Sequence, residues 1–426
     1  MADLDRRAFL KSSALAGALA LTGCAGGGRR PAHGHVVVVG GGYGGATAAK
    51  YLRMWSGRGV DVTLVERSPR FVSCPMSNLV IAGQRSMADI TLDYDRLQSH
   101  WGVRVVHGEV LAIDTAARSL RLADGGDLRY DRLVLSPGID FLWQEIPGLD
   151  NATAQGSILH AWKAGAQTVA LRRQLEAMPD DGVFVLSIPR APYRCPPGPY
   201  ERACLVADYC KRHKPRAKVL VLDANDEIVS KKGLFAKAWA ELYPGIIEYR
   251  PQSELRDVHV ATKTARLDFD EVRADVLNVI PPQRAADIAA TSGLKLINQR
   301  WVEIDWLSME SSSTPGVHVL GDAIFPAPTM PKSGHVANQQ AKLAAAAILR
   351  LLAGEQPDPA PLLMNTCYSF VDARSAIHVA AVFQYEPASR VLQPVAGAGG
   401  VSNARSELEG RIANGWAQNI WADMLS

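Results

Sequence analysis

Three glycines in the spacing Gly-x-Gly-x-x-Gly constrain the fold of this chain more than any other feature. Gly40, Gly42 and Gly45 follow an apolar run at residues 35–39 and precede a helix-forming stretch. Bare α-carbons let a pyrophosphate approach the backbone, and the helix N-terminus favours its negative charge. The next apolar run ends in Glu66, an acid suited to accept hydrogen bonds from a ribose. The pattern therefore predicts a strand–helix–strand unit that binds a dinucleotide.

A second signature favours FAD over NAD as that dinucleotide. Residues 314–323 read TPGVHVLGDA and resemble the late Gly-Asp motif of flavoproteins with two dinucleotide-binding units, in which the acid, here Asp322, holds the ribityl chain. A strand that ends in Gly-Asp is also a common ordinary turn. Because the motif accompanies the glycine fingerprint, we predict FAD.

A second α/β unit follows, with predicted strands at residues 182–187 and 218–223 and a predicted helix at residues 199–211. A nicotinamide-binding flavoprotein would carry another glycine fingerprint here, but residues 187–199 contain five prolines instead. Proline has no N–H to donate to a phosphate. NAD(P)H is therefore not expected as the reductant.

The N-terminus has the layout of a cleavable signal, residues 1–31. Arg6 and Arg7 precede a short apolar run and a glycine-rich tail, and they resemble a twin-arginine export signal, so a periplasmic location is expected. A frayed helix is the alternative. Residues 21–24 also resemble a lipoprotein box, which would place a lipid anchor on Cys24.

The rest of the chain gives no sign of nucleic acid or of a membrane span. The signal holds five of the 46 basic and two of the 43 acidic residues, so the remainder is neutral on this count. No long apolar run follows the signal, and no transmembrane segment is expected. The absence of Cys-x-x-Cys in the sequence excludes a zinc site of that spacing and a covalently attached c-type haem, and no metal site is predicted.

Five stretches make a family resemblance specific. They are SCPMSN at 73–78, YRCPPGPYER at 193–202, IPPQR at 280–284, MPKSG at 330–334 and LMNTCYS at 363–369. With these stretches the chain resembles the flavoprotein subunit of flavocytochrome c sulfide dehydrogenase, a relative of sulfide:quinone oxidoreductase.

The resemblance implies roles for three cysteines. Cys74 matches the cysteine that is joined to the 8α carbon of FAD; an ordinary buried thiol is the alternative. Cys195 and Cys367 match a redox-active disulfide above the flavin, with Cys367 on the flavin side and Cys195 forming the persulfide; a structural bridge, or no bond, is the alternative. Cys204 and Cys210 are not needed for this chemistry and are expected to be core or surface thiols.

Two charged residues complete the expected site. Glu201, six residues after Cys195, is suited to manage the proton of hydrosulfide or thiol, or else is a solvated acid on a helix. Lys332 precedes a predicted helix and is expected to stabilise the reduced flavin, or else is exposed. Trp416 and Trp421 are expected to pack in the core, with the flavin edge or the partner interface as the alternative.

The predicted fold class is α/β, with two Rossmann-like doubly wound domains of the glutathione reductase type and a small C-terminal α+β domain. The expected FAD domain comprises residues 34–150 and 285–352, the second domain residues 151–284, and the C-terminal interface domain residues 360–426. The implied activity is oxidation of sulfide, with electrons passed to a c-type cytochrome subunit. The alternatives are a sulfide:quinone oxidoreductase and a non-catalytic FAD electron-transfer subunit.

Overall fold

The structure is a computed structural model, and it describes residues 33–426. The signal and Cys24 lie outside the described residues. A six-stranded sheet organises the first half of the fold, and its central strand, Gly34–Val39, is the one that leads into the glycine turn. In spatial order its strands are Glu310–Ser311, Thr314–Val319, Arg132–Leu135, Gly34–Val39, Val60–Glu66 and Arg104–His107.

The core of this sheet is parallel, which explains why its strands read as uninterrupted apolar runs. Gly34–Val39 pairs in parallel with Val60–Glu66 on one side and with Arg132–Leu135 on the other, and Thr314–Val319 extends the sheet beyond them. Two helices, Tyr43–Trp55 and Gly334–Leu352, pack against each other. Parallel sheets bind ligands at the carboxyl ends of their strands, where the glycine turn, Glu66 and Asp322 all lie.

A four-stranded parallel sheet forms the second half, in the spatial order Ile247–Arg250, Lys218–Asp223, Val183–Ile188 and Val276–Val279. The prolines between residues 187 and 199 do not interrupt it, because four of the five fall after the strand and before helix Gly198–His213. Pro199 occupies the first turn of that helix, where no N–H is required. The other helices of this half are Ala166–Ala177 and Lys232–Leu242.

The C-terminal region is a three-stranded antiparallel sheet and one long helix. Its strands are Leu362–Phe370, Ala376–Glu386 and Val391–Val401. Helix Glu407–Leu425 begins at Ser406, whose hydroxyl caps it, and packs against both the sheet and helix Tyr43–Trp55. The first strand also packs against helix Gly334–Leu352, so this region closes over the glycine turn.

The remaining elements are short. The small strands are Phe71–Val72, Thr91–Leu92, Val110–Asp114, Ser119–Leu122, Asp127–Arg129, Ile139–Phe141, Asp257–His259, Thr264–Arg266, Glu271–Arg273, Gln283–Ala285, Leu296–Ile297 and Trp301–Val302. The short helices are Ser77–Ile81, Ala88–Ile90, Asp95–Ser99, Trp143–Glu145, Pro147–Leu149, Ala152–Ser157, Asp287–Thr291 and Gly321–Ala323. Between residues 33 and 426, none of the helices has the length and apolar character needed to cross a bilayer.

Candidate active site

One large cavity lies where the two sheets and the C-terminal region meet. Its volume is about 750 Å³. Eight of the ten residues expected in the site line it: Gly40, Gly42, Glu66, Cys74, Cys195, Glu201, Asp322 and Cys367. The two exceptions are Gly45, which packs behind the turn, and Lys332, described below. The fold therefore gathers residues from four distant parts of the chain into one space.

The glycine turn is closed so tightly that side chains would not fit behind it. A Cβ on Gly45 would stand 1.7 Å from the carbonyl oxygen of Gly40. A Cβ on Gly42, in contrast, would meet nothing within 4 Å, because Gly42 faces the cavity. Glu66 accepts a 2.6 Å hydrogen bond from the Gly41 amide and one of 2.8 Å from Ser68. This cradle fits a pyrophosphate and its ribose.

A buried and unpaired carboxylate oxygen marks the middle of the cavity. Oδ1 of Asp322 is inaccessible and has no hydrogen-bond partner. Burial raises the pKa of Asp322, while Arg194, whose Nε lies 4.0 Å from Oδ2, and Lys332 oppose that rise. A buried acceptor without a donor is costly, and a hydroxyl of a ribityl chain would satisfy it. The residues present thus fit a flavin dinucleotide.

Lys332 is buried, not exposed, and it does not line the cavity; its stabilisation of the reduced flavin stays a prediction. Its Nζ is buried beneath the cavity wall, donates to the carbonyl oxygens of Asp322 and Ile324, and lies 3.7 Å from the centre of the Trp301 ring. Burial lowers its pKa to about 7. The backbone explains this direction, because the Lys332 carbonyl accepts a 2.8 Å hydrogen bond from the Cys195 amide. Lys332 thus supports the loop of Cys195 and the turn of Asp322.

Cys74 lies at the cavity wall on the loop after strand Phe71–Val72. Its Sγ is 3.4 Å from the amide nitrogen of Ala164, which donates to it. Met76, two residues later, holds a left-handed conformation with φ of 73° that turns the chain into helix Ser77–Ile81. The sulfur is thereby presented to the same space as the glycine turn.

Cys195 and Cys367 both border the cavity, and the structure holds them as free thiols. Cys195 lies in a loop with a left-handed φ of 57°, an uncommon conformation for a residue with a side chain. Cys367 lies within strand Leu362–Phe370, whose pairing fixes its position. Burial raises the pKa of Cys195, and the nearby Cys367 and Glu201 raise it further, which brings the two thiols into one electrostatic environment.

Glu201 is held in place by two hydrogen bonds and is not a solvated acid. Its carboxylate accepts 2.8 Å from Nδ2 of Asn78 and 2.7 Å from the amide of Phe370. Burial raises its pKa. Asn78 is itself held by Arg202, which donates to its Oδ1 at 3.0 Å. A carboxyl group with a raised pKa beside two thiols is suited to take up and release a proton.

Several residues of the site were not predicted. Arg194 is adjacent to Cys195 and donates to the carbonyl of Trp162, and its place within the YRCPPG stretch was the only available signal. Arg202 is 1 % exposed, and burial lowers its pKa to about 9. Lys231 is buried beside the strand of Cys367, and its sequence neighbourhood carries no motif. Trp416, expected in the core, lines the cavity.

The other two cysteines are core residues. Cys204 and Cys210 are both fully buried on helix Gly198–His213. Sγ of Cys204 accepts a 3.1 Å hydrogen bond from Nε1 of Trp239. Burial raises the pKa of both thiols, so they are poorly ionised and unreactive.

Comparisons with known proteins agree with this geometry. Residues 34–173 match the family model "Pyridine nucleotide-disulphide oxidoreductase", which defines the class of protein. Residues 168–281 match "Sulfide dehydrogenase [flavocytochrome c] flavoprotein chain, central", and residues 359–425 match "Flavocytochrome c sulphide dehydrogenase, flavin-binding". Together with the relatives below, these matches support a flavoprotein chain that resembles that of flavocytochrome c sulfide dehydrogenase.

Two relatives in sequence and one solved structure are similar to this chain. A sulfide dehydrogenase flavoprotein chain of Chlorobaculum thiosulfatiphilum is 60% identical over 45 residues, which cover 11% of this chain and 92% of that sequence. A mitochondrial sulfide:quinone oxidoreductase of Dictyostelium discoideum is 24% identical over 298 residues, 67% of this chain but only 64% of the relative. A sulfide:quinone oxidoreductase structure from Aquifex aeolicus aligns with a TM-score of 0.74 at 17% identity, covering 92% of this chain and 91% of that one. The predicted fold class is confirmed.

Proposed function

We propose that this chain is the exported flavoprotein subunit of a sulfide dehydrogenase, which oxidises hydrosulfide to sulfur or polysulfide and passes the electrons to a c-type cytochrome subunit. The observation that carries the proposal is that Cys195 and Cys367 line one cavity together with the glycine turn and Asp322. Oxidation of sulfide at a disulfide requires two sulfurs and an electron acceptor in one space. Similarity to these flavoprotein chains supports sulfide as the substrate class.

In the oxidised enzyme, Cys195 and Cys367 form a disulfide. Hydrosulfide attacks Sγ of Cys195, a new sulfur–sulfur bond forms there, and the Cys195–Cys367 bond breaks with its electron pair left on Sγ of Cys367. The products are a persulfide on Cys195, which keeps the substrate proton, and a thiolate on Cys367.

Glu201 is the proton-handling group of this step. Its position is fixed by Asn78 and by the amide of Phe370, three residues after Cys367. A second hydrosulfide attacks the outer persulfide sulfur, the bond from that sulfur to Sγ of Cys195 breaks with its electron pair left on Sγ, and hydrogen disulfide, the shortest polysulfide, leaves; the Glu201 carboxylate takes up its proton. The raised pKa of Glu201, caused by burial, supports this role, because it makes the carboxylate a stronger proton acceptor than an exposed one.

The cofactor is FAD, held by the glycine turn, Glu66 and Asp322 and bonded covalently through Sγ of Cys74. When bound, the flavin supplies the two-electron acceptor for the sulfur chemistry and a one-electron donor toward a haem. Covalent attachment is supported by the position of Cys74 on the wall of the same cavity. The periplasmic location rests on the sequence of residues 1–31 alone.

The acid that would hold a nicotinamide ribose at the second sheet is already hydrogen-bonded within the protein, which disfavours a nicotinamide as the redox partner. The acid that would bind its ribose is Asp223, at the end of strand Lys218–Asp223. Asp223 is fully buried and accepts hydrogen bonds from the hydroxyls of Tyr200 at 2.7 Å and Tyr249 at 3.0 Å. Nδ2 of Asn225 donates a 2.7 Å hydrogen bond to Oδ1, the other carboxylate oxygen of Asp223.

Anaerobic rapid mixing with sulfide tests the proposal. We expect sulfide to bleach the flavin absorbance of the wild-type protein within its turnover time, and Cys195→Ser and Cys367→Ser to abolish the bleaching while retaining flavin. Cys210→Ala is the matched control, because it removes a buried thiol far from the reaction and should leave the bleaching intact. Full bleaching of Cys195→Ser would refute the disulfide route.

The acceptor is tested separately with sulfide-reduced protein. A c-type cytochrome should reoxidise it faster than a soluble quinone. Faster reoxidation by quinone would favour the sulfide:quinone oxidoreductase alternative. A flavin that sulfide does not bleach in any form of the protein would instead favour a non-catalytic electron-transfer subunit.

A further inference from the structure

A buried lysine lies beside the two reactive cysteines, and nothing in the sequence marked it. Lys231 precedes helix Lys232–Leu242 in the second half of the fold, yet its side chain reaches the C-terminal strand of Cys367. It is 8 % exposed. Its own backbone is left-handed, with φ of 55°, so the lysine is held in an unfavourable conformation in order to reach this position.

The contacts of its ammonium leave its charge without a bonded counter-ion. Nζ donates to the carbonyl oxygen of Cys367 at 3.1 Å and to the hydroxyl of Ser369 at 2.8 Å. Both acceptors are neutral. Among residues 33–426, no carboxylate forms an ion pair with Nζ, and the nearest ring is that of Phe235, 5.7 Å away. A buried cation normally has an anionic partner. The ammonium of Lys231 is hydrogen-bonded to none as long as the two thiols are protonated.

Four titratable groups face Lys231 through the protein. Burial lowers its pKa to about 8. The negative charges of four groups raise the pKa again in part, from the largest effect to the smallest: Cys367, Glu201, Cys195 and Glu409. Glu409 belongs to helix Glu407–Leu425 and is already bonded to His378 and Ser402. The largest opposing influence therefore comes from the sulfur of Cys367.

We propose that Lys231 is a positioning residue of the sulfide reaction, whose ammonium balances the negative charge that appears on Sγ of Cys367 when hydrosulfide opens the Cys195–Cys367 disulfide. The inference rests on the proposed function. In that step one anion, hydrosulfide, enters the cavity, and one anion, the Cys367 thiolate, remains beside Nζ while the persulfide is neutral. Charge is conserved, but it moves from solvent to a partly buried sulfur, where a fixed cation lowers its energy.

The test measures the sulfurs directly and does not depend on sulfide turnover. Holoenzyme is fully reduced with a phosphine, desalted without oxygen and treated with iodoacetamide at a series of pH values, and alkylation of Cys367 is followed by peptide mass mapping. Only thiolates react at an appreciable rate, so the midpoint of the rate profile reports thiolate formation. Wild type is compared with Lys231→Gln, Ser369→Ala and Lys232→Met.

These variants separate charge from hydrogen bonding. Gln at position 231 can reach the same two oxygens without a charge, whereas Ser369→Ala removes a hydrogen bond and keeps the charge. Lys232 is the exposed neighbour, paired with Glu227, and serves as the control for loss of a nearby cation. We expect Lys231→Gln to move the midpoint up by about one pH unit or more, the size usual for loss of a nearby opposite charge. Ser369→Ala and Lys232→Met should leave it unchanged.

Two results would overturn the inference. One is a Lys231→Gln profile with the wild-type midpoint. The other is a rate that changes equally at every pH, which is the signature of a merely structural role. If Lys231→Gln does not fold, Lys231→Met and Lys231→Arg are compared, and Arg alone should restore the wild-type midpoint. Failure of the proposed function gives a different pattern, since the midpoint then shifts as expected but sulfide does not bleach the flavin of the wild-type protein.

Discussion

Two alanine substitutions in the glycine turn are expected to fail in different ways. At Gly45 the new Cβ would lie 1.7 Å from the carbonyl oxygen of Gly40 and 2.9 Å from its carbonyl carbon. At Gly42 it would meet nothing within 4 Å, and the φ of −71° suits alanine. Gly45→Ala therefore disturbs the fold, whereas Gly42→Ala disturbs only the space for the cofactor.

The structure sets the size of each effect. Gly40 cannot move freely, because its amide donates a 2.9 Å hydrogen bond to the carbonyl of Val65 in the neighbouring strand. The turn would have to open by more than an ångström, and we expect Gly45→Ala to cost about 1–3 kcal/mol of unfolding free energy. Gly42→Ala should be neutral, or stabilising by up to about 1 kcal/mol, in the apoprotein. Its methyl group projects into the cavity, so we expect flavin content to fall about tenfold or more.

The assay has two readouts. Urea unfolding of apoprotein made under flavin starvation gives the unfolding free energy, and the absorbance of protein made with flavin gives the cofactor content per chain. Gly156→Ala is the control, because Gly156 also has open space around it but lies on helix Ala152–Ser157, outside the cavity. The reasoning is refuted if Gly42→Ala destabilises the apoprotein as much as Gly45→Ala, or if Gly42→Ala retains full flavin content.

Three further predictions follow from the cavity. Cys74→Ala should make the flavin extractable by acid precipitation, whereas the colour of the wild-type protein should stay in the pellet; extraction from both would exclude the covalent bond. Asp322→Asn should lower flavin content without destabilising the apoprotein, because burial disfavours the charged form of Asp322 and its Oδ1 has no donor; a marked loss of apoprotein stability in urea would contradict this. Glu201→Gln should slow flavin reduction by sulfide about a hundredfold. The ratio of wild-type to variant rates should rise with pH through the raised pKa of Glu201 and then level off, because the carboxylate is the active form; a ratio independent of pH would oppose this role.

Local sequence determined the secondary structure that holds the cofactor. An apolar run, a glycine turn and an acid at the end of the next run can form little else than a parallel strand–helix–strand unit, because each feature satisfies a short-range requirement of backbone geometry. Both ends of strand Lys218–Asp223 were predicted correctly. Helix Gly198–His213 begins one residue earlier and ends two residues later than predicted. These patterns depend only on neighbours in the chain.

Side-chain direction and burial were decided by the tertiary structure. The side chain of Lys332 does not line the cavity. Its backbone carbonyl accepts a hydrogen bond from the Cys195 amide, and its ammonium donates to two backbone carbonyl oxygens. Glu201 is bonded to an amide that belongs to a strand far along the chain. Lys231 gave no signal at all, since its neighbours in the sequence are unrelated to the sulfurs it faces.

The sequence by itself therefore determined the dinucleotide cradle and identified the cysteines. The residues of the cradle lie close together in the chain, and the cysteines lie in short stretches that carry the family resemblance. Only the tertiary structure decided that Cys195 and Cys367 share one cavity and that a buried cation lies beside them. The physical reason is that long-range packing sets the distances between segments, and the charge and polarity around a sulfur depend on those distances.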